Sequence, residues 1–420
     1  MGQEELFASM EQELRRRGHE IVDFSDAADA YVVNSCSVTA VSDQKSRQML
    51  HRAKARNPKA AVVAAGCYVQ AAAETLKADG AVDLVIGNNK KAELVPLLEN
   101  FFAGKEEGES VIDISGTQEY EPLHIARQTE HTRAFIKVQD GCNQFCSYCI
   151  IPYTRGRVRS RRPEDVEAEV RRLASEGYRE AVLTGIHLSS YGMDFQDGTD
   201  LLSLIRRIHG IDGIERIRFG SLEPRIITEE FASALAGMEK ICPHFHLSLQ
   251  SGCDATLRRM NRRYDTTRFT ESALLLHRFF PDCALTTDLI VGFPGETEEE
   301  FSTTLGFIRR CGFAQIHVFP YSVRPGTKAA DMEQVPKNIK EERAARAGEV
   351  AAALHEEYLQ SCVGKTLPVL FEQPGAPGFY TGHAPNYMEV SAPGENLHNC
   401  LRPVRITAVE GGILKGEIEP

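Results

Sequence analysis

The sequence predicts an α/β chain in three parts: an N-terminal parallel α/β (Rossmann-like) domain over 1–105, a central TIM-like partial (β/α)6 barrel over 131–362, and a small C-terminal β-barrel over 363–420. Three observations carry that expectation. Short apolar runs alternate with amphipathic helical stretches in the first hundred or so residues, which is the pattern of a parallel α/β unit. The alternation resumes on a larger scale from Arg133 and yields six βα units. The last 55 residues change to short alternating strands separated by Pro and Gly.

In the first part, Leu6, Phe7, Met10 and Leu14 share one helix face, followed by a strand at 30–36 and a helix at 42–56. AVVAAGC (61–67) is a second strand, 69–78 a helix, LVIG (84–87) a strand and 90–103 a helix. No strand precedes the opening helix. Residues 104–130 are polar and mixed, which suits a surface linker (106–130). The central strands are expected at 134–139, 180–185, 216–221, 244–250, 284–292 and 314–320, with helices such as 163–177 and 297–312 between them. Six such units fall short of the eight of a complete barrel. A partial barrel fits better than a doubly wound sheet, although the pattern alone leaves that choice open. A long helix at 338–360 stops near Gly364, and five short strands follow.

Hydrophobic residues at 42% and charged residues at 25% describe an ordinary globular chain rather than a disordered one. No run approaches the length of apolar sequence that spans a bilayer, and the first residues lack the apolar core of a signal peptide, so no membrane partner and a cytoplasmic location are expected. In a reducing compartment, 11 irregularly spaced cysteines point to metal binding or catalysis rather than a disulfide framework. The net charge of −11 gives no global sign of nucleic-acid binding, which leaves local basic patches. Two exist: 44–60 holds six Lys/Arg and 154–163 five Arg, neither with an acid.

The strongest signal is Asp140-Gly-Cys-Asn-Gln-Phe-Cys-Ser-Tyr-Cys149, with the spacing C-x3-C-x2-C directly after a strand. Three thiolates in eight residues can wrap one iron–sulfur cluster and leave one iron open to an outside ligand. Structural zinc wants four protein ligands, and no fourth Cys or His lies nearby.

On this motif the chain resembles the radical S-adenosylmethionine (SAM) superfamily. The resemblance implies a [4Fe–4S] cluster on Cys142, Cys146 and Cys149 whose open iron chelates SAM. It further implies that Tyr148 packs near the SAM adenine, and that Gly185 and His187 occupy the place of the family's glycine-rich segment, in a form that departs from Gly-Gly-Glu. Ser221, Glu223, Ser248 and Gln250 are expected to face SAM's ribose and methionine parts, and Asp288 to open the adenine segment. Phe293 to Glu296 reads first as a turn and helix start. Cys253, beside this pocket in LQSGCDATLRRM, reads as structural, as do the other scattered cysteines.

The run DGCNQFCSYCIIPYTRGRVRSR (140–161), the NSC and AGC strand ends and the terminal barrel, which resembles a TRAM domain, narrow the likeness to the methylthiotransferases. IIPYTRGRVRSR and GHAPNYMEV favour the MtaB type, which acts at C2 of N6-threonylcarbamoyladenosine 37 in the tRNA anticodon loop. The resemblance implies two molecules of SAM per turnover, an electron donor, a sulfur source and a second, auxiliary [4Fe–4S] cluster. Cys36 and Cys67 match two of its ligands, and the third is absent from the sequence. A start assigned too late is the expected explanation, ahead of true loss of the ligand. Rival readings are the isopentenyladenosine-37 tRNA methylthiotransferase, the enzyme that methylthiolates a ribosomal-protein aspartate, and, from another class, a non-catalytic iron–sulfur RNA-binding or sensor protein.

Overall fold

The computed structural model describes residues 4–37, 39–105, 110–117, 119–121 and 132–420, with side chains from Met10 onward. The chain divides into two compact units. One comprises Met1–Arg127, Gln139–Arg161 and Ser322–Asp331; the other comprises Gln128–Val138, Arg162–Tyr321 and Met332–Pro420.

The first unit opens with α1 (Glu4–Arg16), β1 (Ala30–Ser35), α2 (Ala40–Arg56), β2 (Ala61–Gly66), α3 (Cys67–Lys77), β3 (Leu84–Ile86) and α4 (Leu94–Phe102). The three strands form a parallel sheet in the order β1-β2-β3. Because successive strand residues face opposite sides, two separate cores result. Tyr31, Val33, Val62 and Ala64 meet Leu50 and Ala53 of α2 and Val69 and Leu76 of α3. Val63, Ala65, Leu84 and Ile86 meet Met10 of α1 and Leu94, Leu97 and Leu98 of α4. Helices on both faces explain why β2 is apolar throughout and fully buried. Each wholly buried Val or Leu contributes roughly 1.5–3 kcal/mol. Thr39 starts α2 by accepting a hydrogen bond from Ser42 N at 3.2 Å.

The expected linker lies largely outside the described residues, and its described part is tied to the first unit by hydrogen bonds. Ser110 O accepts from Gly87 N at 2.8 Å, Ile112 O accepts from Gln70 Nε2 at 2.8 Å, and Ile114 is buried. Apolar Val111 and Ile114 pull an otherwise polar segment onto the unit.

Next come β4 (Arg133–Asp140), α5 (Ile151–Thr154) and β5 (Arg159–Ser160). The last two residues of β4 belong to the first unit, where β5 pairs with them antiparallel, Gln139 opposite Ser160 and Asp140 opposite Arg159. In the second unit, α6 (Pro163–Ser175), β6 (Glu180–Gly185), α7 (Leu201–His209), β7 (Arg216–Phe219), α8 (Glu229–Ala236) and β8 (His244–His246) alternate. They are followed by α9 (Asp254–Arg259), α10 (Thr266–Phe279), β9 (Ala284–Val291), α11 (Glu298–Cys311), β10 (Gln315–Pro320) and α12 (Lys337–Cys362). Strand β4 lies beside β6, and β6 pairs with β7, β8 with β9 and β9 with β10, the last three all parallel. Bridges Ile217↔Ile241 and Leu222↔Leu247 join β7 to β8. The result is six strands in the order β4-β6-β7-β8-β9-β10, the partial barrel rather than the doubly wound sheet.

The strand expected over 244–250 stops at His246. Beyond it Leu249 N donates to the Thr287 hydroxyl at 3.0 Å instead of a carbonyl, and Gln250 takes the left-handed φ of 67°. That interrupts the ladder, which resumes at Gln250, where the backbone bridges Leu289 in parallel.

The chain ends in β11 (Thr366–Pro374), β12 (Phe379–His383), β13 (Glu389–Pro393), β14 (Leu401–Glu410) and β15 (Ile413–Ile418), closed in the order β11-β12-β13-β15-β14. Val369, Phe371, Met388, Val390, Val404, Ile406 and Leu414 fill it, and Leu359 and Cys362 of α12 join that core. Closure leaves no free strand edge. No described helix is long and apolar enough to cross a membrane.

Candidate cysteine loops and strand-end pocket

Strands β1 and β2 run in register to their ends, Ser35 opposite Gly66, so Cys36 and Cys67 follow two paired strand ends. Gly66 has φ 96°, and a Cβ there would stand 2.6 Å from Ser35 O; only glycine allows this approach. Ser35 Oγ donates to Ala65 O at 2.5 Å and accepts from Tyr68 N at 3.1 Å, which fixes the turn into α3. Cys67 is the first residue of α3 and is buried. Arg155 Nε donates to its sulfur at 3.0 Å and Asn88 Nδ2 at 3.5 Å. Burial alone would raise the Cys67 thiol, but the Arg155 and Lys91 charges and the bonds from Asn88 and Arg155 leave it below the usual range. The Arg155 guanidinium thus gives Cys67 a cationic setting that suits a thiolate.

Cys142, Cys146 and Cys149 lie on the loop that follows β4. Asp140 Oδ1 accepts from Gly141 N at 2.8 Å, and Gln139 Nε2 donates to the carbonyls of Asp140 and Gly141, each at 2.7 Å. Cys142 N donates to Gly156 O at 3.0 Å, Val158 N to Asn143 Oδ1 at 3.3 Å and Cys149 N to Cys146 O at 3.0 Å. Phe145, at φ 51°, sets its ring edge-on to Tyr153 and beneath Arg157, 4.6 Å from the guanidinium carbon. The loop is thus pre-shaped by its own backbone. Among the described residues no three Cys, His, Asp or Glu side chains stand together as a ready site for a single metal ion.

Gly141 gives a sharp test of this shape. At φ 72° its Cβ would lie 1.8 Å from Arg157 O. Gly141→Ala is expected to spread the loop, with iron content after anaerobic reconstitution falling by more than half while far-UV circular dichroism is kept. Unchanged iron content would contradict the pre-shaped loop.

The second basic patch turns out differently from the sequence expectation. Arg155, Arg159 and Arg161 are buried, and only Arg157 and Arg162 are exposed. The hairpin of β5 against β4 draws the buried ones inward, where Arg155 and Arg159 face Asp140 at 3.6 and 3.5 Å. In the first patch Lys45, Arg52 and Lys59 are exposed, while Lys54 pairs with Asp83 at 2.8 Å.

Residues 322–331 add a link that the sequence did not announce. Arg324, buried, donates to Ser37 Oγ at 2.6 Å and Asp43 Oδ2 at 2.7 Å, next to Cys36. Five residues on, Ala329 N donates to Ser147 O at 2.8 Å, between Cys146 and Cys149. Arg155, Asn88 and Arg324 were missed as site residues; only the density of arginines in 154–163 pointed to one of them.

In the second unit the other expected positions collect at the C-terminal strand ends. Gly185 ends β6, and His187 follows with Nδ1 2.6 Å from Ser190 Oγ and Nε2 3.7 Å from Glu223. Burial pushes the His187 pKa down, Glu223 opposes it, and Arg262 and Arg225 add to it, so the ring is neutral near pH 7. Glu223 is gripped by Arg225 through two bonds of 3.0 and 2.9 Å. The hydroxyls of Ser221 and Ser248 meet at 2.7 Å. Gln250 N donates to Asp288 O at 3.0 Å, and the Asp288 carboxylate lies 3.5 Å from His246. Ser221, Ser248, Gln250 and Asp288 are all half-buried. Tyr148 is half-buried on the cysteine loop of the first unit. Cys253 is buried as the cap of α9, in keeping with a structural role.

Residues 136–308 match the Radical SAM superfamily, and residues 4–87 match a family described as Uncharacterized protein family UPF0004. A Bacillus subtilis protein named threonylcarbamoyladenosine tRNA methylthiotransferase MtaB is 38% identical over 94% of this chain and 89% of its own length. One of the same name from Aquifex aeolicus is 41% identical over 84% of this chain and 86% of its own. A Moorella thermoacetica protein named tRNA-2-methylthio-N(6)-dimethylallyladenosine synthase is 35% identical over 96% and 93%. Among solved structures, a radical SAM methyltransferase, TsrM from Kitasatospora setae with cobalamin and a [4Fe–4S] cluster bound, shares the fold at TM-score 0.58 and 15% identity over 90% of this chain and 77% of that one. By relatives aligned over nearly its whole length, the chain belongs to the radical SAM methylthiotransferase family, enzymes that use SAM and a [4Fe–4S] cluster.

Proposed function

We propose that this chain methylthiolates C2 of N6-threonylcarbamoyladenosine at position 37 of tRNA, in the cytoplasm. The observation that carries the substrate is the higher identity to relatives named for it, 38% and 41%, against 35% for the dimethylallyladenosine relative. Cys142, Cys146 and Cys149 would hold the SAM-binding cluster, which would supply the one electron that cleaves SAM to methionine and a 5′-deoxyadenosyl radical. Tyr148, Gly185, His187, Ser221, Glu223, Ser248, Gln250 and Asp288 hold SAM. Neutral His187 and the Ser221–Ser248 pair offer hydrogen bonds without a net charge, and Glu223, bonded to Arg225, suits a hydroxyl-bearing ribose or a cationic amine.

Cys36 and Cys67 supply two of the three ligands that a second cluster for sulfur transfer needs; the cationic setting of Cys67 suits a ligating thiolate. The anticodon loop suits the chemistry because its bases can be splayed out of the stack. Exposed Lys45, Arg52 and Lys59 on and after α2 supply positive charge for phosphate contact. An electron donor and a sulfur source complete the set of partners.

The test is expression of the full chain in a bacterium lacking its own enzymes of this class, with mass spectrometry of digested tRNA. The methylthio form of threonylcarbamoyladenosine is expected. Methylthio isopentenyladenosine instead would move the chain to the second reading, which the 35% identical relative favours. No methylthio nucleoside at all would overturn a tRNA substrate.

A further inference from the structure

The last two strands of the second unit have one closed face and one that opens towards their C-terminal ends. Side chains alternate across a strand, and Leu285, Leu289 and Val291 of β9 are fully buried on the side that the helices cover. On the other side Thr286 is 2% exposed, whereas Asp288 and Ile290 are half-buried. Register extends this inner face onto β10, where His317 lies opposite Asp288 and Phe319 opposite Ile290. His317 is exposed, and Phe319 is 48% exposed. A complete barrel fills its interior with side chains, so an inner wall left bare at the strand ends is the wall of a binding cavity. Strand β10 is also the last of the six, which sets this wall beside the gap that a partial barrel retains.

The groups on this wall suit a polar aromatic ligand. His246 Nδ1 lies 3.0 Å from Thr286 Oγ1 and its Nε2 3.5 Å from the Asp288 carboxylate, so that acid already has a partner. The His317 ring stands 6.3 Å from the His246 ring and at 29° to it. An imidazole N–H is a donor for a carboxylate, and an exposed aromatic ring is a platform on which a base stacks.

We propose that His317 is the specificity-determining residue for the base substituent, donating a hydrogen bond to the carboxylate of the threonylcarbamoyl group while Phe319 stacks on the purine. The inference rests on the threonylcarbamoyladenosine reading above. That substituent carries a carboxylate and a hydroxyl, whereas an isopentenyl group is apolar and gives His317 nothing to bind. A site built to hydrogen-bond a polar group strongly rejects the analogue that lacks it.

The experiment follows fluorescence anisotropy of labelled anticodon stem-loop RNAs titrated with the full chain, purified anaerobically. The RNAs bear threonylcarbamoyladenosine, isopentenyladenosine or plain adenosine at position 37. The unmutated chain is expected to bind the first about tenfold more tightly than the others, the worth of one hydrogen bond to a charged group. His317→Ala is expected to remove that preference and leave the affinity for plain adenosine unchanged, and His317→Gln, which keeps a donor, to retain part of it. His317→Glu sets like charges together and should make the threonylcarbamoyl RNA the weakest ligand, a reversal that a structural role would not give. Phe319→Ala should weaken all the RNAs alike, by about tenfold. Both side chains are exposed, so the variants are expected to keep the melting temperature of the unmutated chain. A preference kept in full by His317→Ala, or an equal loss for every RNA, would overturn the role of His317, and unchanged binding by Phe319→Ala would overturn the stacking. The methylthio nucleoside made by the unmutated chain reports separately on the substrate. If it is the threonylcarbamoyl form while His317→Ala keeps the preference, the substrate reading stands and this inference alone falls; if it is the isopentenyl form, both fall.

Discussion

Replacing Cys142, Cys146 or Cys149 singly with alanine is expected to abolish reductive cleavage of SAM, by on the order of 10³-fold or more. The loop itself should survive. Its shape is held by backbone groups, Cys142 N to Gly156 O and Cys149 N to Cys146 O, and by Gln139 Nε2, none of which is a thiol. What is lost is one of three thiolates, and two cannot hold a cluster that already leaves one iron to SAM. The measurement is 5′-deoxyadenosine formed by reconstituted protein with dithionite, alongside the melting temperature. Cys253→Ala serves as the control, because Cys253 lies at the start of α9 in the second unit and its side chain makes no cap hydrogen bond there. Cleavage retained in any one of the three variants would move the cluster off this loop.

The second large effect concerns stability. Glu180 is fully buried at the start of β6 and bonds Arg218 Nε at 2.6 Å, with Arg216 at 3.5 Å. The same arginines donate to carbonyls of the terminal barrel, Arg218 to Pro385 O at 2.9 Å and Arg216 to His383 O at 3.0 Å. Burial alone would raise the Glu180 pKa, but the charge and hydrogen bond of Arg218 and the charges of Arg216 and Arg133 lower it to about 2. Removing the carboxylate strands two buried cations, so Glu180→Gln is expected to cost about 3–5 kcal/mol in denaturant unfolding near pH 7. A depressed carboxyl pKa stabilises the fold above its ordinary value of 4.5, and that stability drains away as pH falls from there towards about 2. The unmutated chain should lose stability through this window, and Glu180→Gln should show a shallower loss. Equal acid limbs would mean that Glu180 carries no charge in the folded state.

How much of this was legible in sequence follows from the range of the forces involved. Alternation of apolar and polar residues reports burial on one face, so the α/β unit, the six barrel strands and the closed terminal barrel could be read directly. The cysteine loop could be read because ligand spacing within a loop is local. What escaped was long-range pairing of polar groups. Arg155, Arg159 and Arg161 look like a phosphate-binding run in sequence, yet the pairing of β5 with the end of β4 turns all three inward. Arg324 reaches Ser37 across 287 positions of sequence, a contact that no periodicity encodes. The premature end of β8 has the same origin, since the Thr287 hydroxyl that replaces a ladder carbonyl lies on another strand.

The central claim is radical methylthiolation of tRNA, and the most direct measurement is one turnover in vitro. Reconstituted full-length chain, SAM, dithionite, a sulfide source and tRNA bearing N6-threonylcarbamoyladenosine are incubated, and nucleosides and SAM products are quantified together. The account predicts methylthio-threonylcarbamoyladenosine appearing with equal amounts of 5′-deoxyadenosine and S-adenosylhomocysteine, one SAM giving the radical and the other the methyl group. Cleavage of SAM to 5′-deoxyadenosine at the same rate with and without tRNA, and no change in the nucleoside, would contradict it.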